Sequence, residues 1–178
     1  MSIQKGRILK TSRILGALLK IGGIVLILAI VLLIVSMVIA PSFNFESDGE
    51  VINVRDVSMP MDGSADNFRA LMMVILLGSG IMAAIMFVAS FIFKDISREG
   101  EPFTPKNSNK IKIISLLIIA QCIVIPPLQL LAVMIFSPAT DASAPLNLGS
   151  VFVAAVFFCL ALVFEYGAEL QRQADETL

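Results

Sequence analysis

Four stretches of this chain, Ile21–Ala40, Ala70–Phe93, Ile113–Thr140 and Ala142–Phe164, carry no charged side chain. Each is about as long as the roughly 20 apolar residues that a helix needs to cross a bilayer. The hydrocarbon offers no water to backbone amides, so a chain that spans it as separate apolar runs must satisfy them within helices. The fold class that follows is all-α, a polytopic membrane protein with four transmembrane helices. Hydrophobic residues make up 57% of the 178, and the mean hydropathy is +0.92, which leaves no room for a separate soluble domain of ordinary size. We therefore read residues 1–178 as a single membrane domain with spans at about 18–40, 70–95, 112–137 and 148–166. Short connections then place the helices in an up-down arrangement.

Charge position supplies an expected topology. Lys5, Arg7, Lys10, Arg13 and Lys20 precede the first span, and Lys94, Arg98, Lys106, Lys110 and Lys112 lie between the second and third. With Arg172 in the tail, these make eleven of the thirteen basic residues. The loop 41–69 holds only Arg55 and Arg69 against six carboxylates, and the segment around Asp141 holds no basic residue. Under the positive-inside rule this is an N-in, C-in protein. Its turn 96–111 and tail 167–178 are then cytoplasmic and its loop 41–69 is outside. A cleaved signal peptide is the competing reading of the N-terminus, because Val38-Ile39-Ala40 loosely fits a cleavage site. The apolar stretch is longer than a signal requires and Pro41 follows directly, so the first span is expected to remain as an anchor.

The residue inventory excludes several chemistries. No histidine is present, which removes bis-histidine haem ligation, most zinc sites and histidine proton relays. Cys122 and Cys159 both fall within spans, where they read as small core residues rather than a disulfide or a redox pair. No nucleophile, base and orienting group can be assembled, so no enzymatic activity and no cofactor are expected. Gly78-Ser79-Gly80 lacks the strand and lysine of a phosphate loop. Gly80 and Ala84, and likewise Gly22-Gly23, are instead expected to let another helix approach closely, within the protein or in a homo-oligomer.

The third stretch contains Pro126-Pro127, which deprives the carbonyls of Cys122 and Ile123 of their amide partners and predicts a kink. Gln121 and Gln129 flank it and can bond to freed backbone groups or to neighbouring helices. Gln121, Pro126, Pro127 and Gln129 are thus the candidate helix-break or transport site, although no intramembrane charge accompanies them as in most ion and proton paths.

Outside the spans, Phe43–Ser47, Asp48-Gly49 and Glu50–Arg55 suggest a small outer β-hairpin with a tight Asp-Gly turn. On the other side, Gly100 suits a left-handed helix cap, while Thr104 followed by Pro105 suits an N-cap with proline at the first helical position. The second and third helices should therefore run past the membrane and join through about five residues, with Phe103 folding back onto the helix ends. In the tail, Glu165, Glu169 and Arg172 lie at helical spacing and Asp175-Glu176 add negative charge. This is either a salt-bridged helix end or an acidic strip for a basic partner.

The run Glu99-Gly100-Glu101-Pro102-Phe103-Thr104, the basic residues after it, and the ending from Phe164-Glu165-Tyr166-Gly167-Ala168-Glu169-Leu170 to Asp175-Glu176-Thr177-Leu178 resemble the bacterial family of domain of unknown function 2975. The resemblance covers nearly the whole chain, with the same four spans and the same Gly-x-Pro-Phe-Thr-like turn. It implies an inner-membrane protein that regulates or sequesters a small cytoplasmic helix-turn-helix transcription factor, without binding nucleic acid itself. Glu101, Phe103, Glu165, Tyr166 and Glu169 are the candidate partner-docking residues under that reading. A small membrane transporter or channel component is the alternative.

Overall fold

A computed structural model describes residues 2–39, 51–54, 57–60, 65–136 and 148–176. In chain order these form α1 (Ser2–Ile39), β1 (Val51–Val54), β2 (Val57–Pro60), α2 (Ala65–Glu99), α3 (Pro105–Ile123), α4 (Ile125–Phe136) and α5 (Leu148–Glu176). Among the described residues, four helical stretches are long and apolar enough to cross a membrane: Gly6–Ile39, Ala65–Glu99, Pro105–Phe136 and Leu148–Ala174. The chain is a multi-pass membrane protein. The stretch Gly6–Ile39 of α1 alone, at 34 residues, is about 50 Å long, well beyond a hydrocarbon thickness of about 30 Å.

The chain divides into two compact units. The first comprises Met1–Ile24, Ala83–Ile118 and Gly149–Leu178. Its core gathers Ile92 and Ile96 of α2, Ile111 and Ile114 of α3, and Ala161 of α5, with Phe157 and Phe164 packed on the rim. Lipid tails are as apolar as leucine, so helices here gain little from hydrophobic burial and rely on close approach and interhelical hydrogen bonds. The residues at the contact are accordingly small: Ser108, Ser115, Ala154 and Ala161 are fully or almost fully buried. The Ser108 hydroxyl donates to the Ala161 carbonyl at 2.9 Å and ties α3 to α5. On α1, a Cβ placed at Gly16 would meet Phe93 Cβ at 3.3 Å, and one at Gly23 would meet the Phe87 ring at 3.1 Å. Gly22 likewise faces Met86, so the glycines of α1 do admit a neighbouring helix.

The second unit comprises Val25–Met82 and Ile119–Leu148. Ala70, Leu71 and Val74 of α2 pack there with Val133 of α4. The expected kink takes the form of a one-residue interruption at Val124 between α3 and α4. The Val124 amide still donates to Ala120 at 2.9 Å, but the proline nitrogens cannot continue the ladder, and the next bond, from Leu128 to Val124, is stretched to 3.4 Å.

One expectation needs correction, and two others are answered only in part. β1 and β2 pair antiparallel with Val51 opposite Pro60 and Val54 opposite Val57, one connection later than the expected hairpin. The Phe43–Ser47 arm and the Asp48-Gly49 turn lie outside the described residues. Gly80 receives no neighbouring helix from the described residues of the chain itself, since a Cβ added there would meet nothing within 4 Å. Cys122 is buried as expected, but Cys159 is exposed on the apolar surface of α5 rather than in a core.

Candidate functional site

The connection between α2 and α3 is set by its local chemistry. Gly100 adopts φ 73°, and its amide donates to the Ile96 carbonyl at 2.9 Å, closing α2 with a left-handed cap. Five residues, 100–104, then reach α3. Thr104 caps its N-terminus: the hydroxyl accepts from the Asn107 amide at 3.2 Å and the carbonyl accepts from the Ser108 amide at 3.0 Å. Asn107 is fully buried and its side-chain amide donates to the Pro102 carbonyl at 3.3 Å, bracing the turn from beneath.

Ion pairs fasten the helices on either side of this turn to one another and to α5. Asp95 of α2, only 14% accessible, receives Lys110 of α3 in close contact and Lys106 at 3.2 Å. Lys112 of α3 bonds Glu165 of α5 at 2.7 Å across 53 residues of sequence. Phe103 folds back as expected, its ring 5.0 Å from that of Phe164 at an interplanar angle of 48°. The ring also lies against Gly167, where a Cβ would fall 2.8 Å from Phe103 Cδ1.

The result is a groove of about 820 Å³ between the turn and the end of α5. Glu101, Phe103, Glu165, Tyr166 and Glu169 all line it, so the structure brings the five candidate docking residues to one place. Phe103 is 40% and Tyr166 67% exposed, giving the groove two aromatic contacts. Glu176 adds a fourth carboxylate and Arg172 supplies the one cation among its described lining residues. Arg172 is held at 2.8 Å by Glu169 and at 3.8 Å by Glu176, so the tail is a salt-bridged helix end. Glu101 has no ion-pair partner among the described residues.

The helix-break residues belong to the second unit and are arranged differently. Gln129 is 97% buried, and its side-chain amide donates to the Val74 carbonyl at 2.8 Å, bridging α4 to α2. Pro126 is buried, Pro127 is exposed and Gln121 is half-buried. Among the described residues, no group of three or more histidine, cysteine, aspartate or glutamate side chains could hold a metal ion.

Sequence reasoning missed the Asp95 cluster, the Lys112–Glu165 bridge and the Ser108 tie. Only the lysines at positions 106 and 110, four apart on one helix face, point to a single shared acid. No curated protein and no solved structure matches the chain. Residues 60–178, which carry the capped turn, the broken helix and both walls of the groove, match the family model described as "Protein of unknown function (DUF2975)", and the chain belongs to that family.

Proposed function

We propose that this protein resides in the bacterial cytoplasmic membrane with both termini in the cytoplasm, and that it docks a small basic helix-turn-helix transcription factor in the groove between the α2–α3 turn and α5. The reading supposes no catalysis, no cofactor and no direct contact with nucleic acid. The single observation that carries it is the convergence of Glu101, Phe103, Glu165, Tyr166 and Glu169 from two distant segments on one groove. Carboxylates around two exposed aromatic rings suit a basic partner, since complementary charge steers encounter and the rings supply contact area. Eleven of thirteen basic residues flank the sides assigned to the cytoplasm, which supports the orientation.

The test is photo-crosslinking of the full-length chain in its native host, with a crosslinker replacing Phe103 or Tyr166. Capture of a small basic DNA-binding protein, lost on Glu165→Lys with Glu169→Lys, supports the reading. Capture only of lipid and further copies of the chain overturns it.

Transport is the second reading, and what favours it is the interruption at Val124 beside buried Pro126 and Gln129. Because the Gln129 amide is engaged with the Val74 carbonyl, a path there would run past the backbone carbonyls that the prolines leave without amide partners. Substrate flux into liposomes, abolished by Gln121→Ala, would establish it.

A further inference from the structure

A cavity of about 500 Å³ lies between α1 and α2 within the first unit, away from the groove residues. Arg13 and Lys20 reach it from α1, and Lys94 and Arg98 from α2. All four are exposed, and among the described residues lining the cavity there is no carboxylate. The nearest acids in sequence, Asp95 and Glu99, are taken up by α3: Asp95 by Lys106 and Lys110, Glu99 by Lys106 at 4.0 Å. None of the four cavity cations has an ion pair among the described residues. Four uncompensated positive charges in one concavity repel one another and call for an anion.

The cavity is also amphiphilic along its length. Lys20 and Lys94 stand at the ends of the uncharged stretches Ile21–Ala40 and Ala70–Phe93, the level at which hydrocarbon gives way to headgroups. Phe87 and Phe91 line the wall one to two turns toward the apolar side, and Phe91 is 49% exposed. Gly16 opens the space between the helices, because its missing side chain lets α1 sit close to Ser90, Phe93 and Lys94. Ser12 and Ser97 add hydroxyl donors suited to phosphoryl oxygens.

We propose that this cavity binds an anionic phospholipid, its phosphate held by Arg13, Lys20, Lys94 and Arg98 and its acyl chains running along Phe87 and Phe91. Basic pockets between membrane helices on the cytoplasmic side recognise lipid headgroups by this combination of charge and depth. The assignment is independent of the docking groove.

Native mass spectrometry of the full-length protein in detergent tests it, with phosphatidylglycerol and phosphatidylcholine of identical acyl chains, and with inorganic phosphate, as probes. The wild type should retain phosphatidylglycerol at least about ten-fold better than phosphatidylcholine. Each cation removed should weaken retention about five-fold, so Arg13→Gln with Arg98→Gln should weaken it about 25-fold. Arg7→Gln with Lys10→Gln changes net charge equally, but neither residue lines the cavity, and this pair should leave retention within about two-fold. Equal retention of the two lipids by the wild type, or equal losses in the two double variants, overturns the proposal. Millimolar inorganic phosphate that displaces phosphatidylglycerol would also overturn it, in favour of a soluble anion. The wild-type lipid comparison decides the question even if a variant fails to fold.

Discussion

Replacing Gly167 by alanine should destabilise the protein through one identifiable clash. The added Cβ would stand 2.8 Å from Phe103 Cδ1 and 3.2 Å from Cγ, both near the base of the ring rather than at a flexible tip. Carbon atoms in contact prefer about 3.5 to 4.0 Å, so the ring must retreat by roughly 0.7 Å or more. Phe164, with its centroid 5.0 Å from that of Phe103, restricts the escape. Overpacking of this kind costs about 1–3 kcal/mol, while alanine in place of glycine within a helix recovers about 0.5–1 kcal/mol. The net expectation is a loss of about 0.5–2 kcal/mol. The same substitution in a Phe103→Ala background meets no ring and should stabilise by about 0.5–1 kcal/mol, because only the helix term remains. The assay is reversible unfolding in mixed micelles, followed by circular dichroism, over the four members of the cycle. Destabilisation of the same size in both backgrounds, with a coupling below about 0.5 kcal/mol, would refute the contact as the cause.

Further perturbations act on the turn and on the tie between α4 and α2. Gly100→Ala forces a side chain into φ 73° and should cost about 1–2 kcal/mol, read in the same unfolding assay. Lys110→Met should cost more than Lys106→Met, about 1–3 against under about 1 kcal/mol, because Lys110 is 19% and Lys106 61% accessible where they meet Asp95; equal losses would contradict that ordering. Gln129→Leu removes one interhelical hydrogen bond and should cost about 0.6 kcal/mol, at most about 1.7, without loss of assembly in the membrane.

What could be read from the sequence follows a physical division. The span positions rest on composition over 20 or more residues, and the caps at Gly100 and Thr104 rest on backbone conformation and side chains a few residues apart. Pro126-Pro127 announced the interruption because a missing amide is a local fact. Contacts such as Lys112–Glu165 and Ser108–Ala161 depend on how each helix is rotated about its axis. In a soluble protein an apolar stripe would reveal that rotation, but spans such as Ile21–Ala40 are apolar on every side and carry no stripe. The same blindness hid the α1–α2 cavity. Arg13, Lys20, Lys94 and Arg98 served as markers of orientation, and only the approach at Gly16 shows that they face a common space. The groove residues were legible because Phe103 was the lone aromatic of its turn and the tail acids fell at helical spacing.

The glycine seam of α1 has a corollary for handling the protein. Only 6% of the most apolar window of α1 is buried, against 33% for the α3–α4 window. Much of its apolar surface is therefore solvated by acyl chains, and bilayer and detergent are its solvents in the literal sense. Exchange of one amphiphile for another alters the surroundings of α1 far more than those of α3 and α4. Loss of native order on extraction should begin in α1, and the choice of detergent amounts to a choice of solvent for that helix.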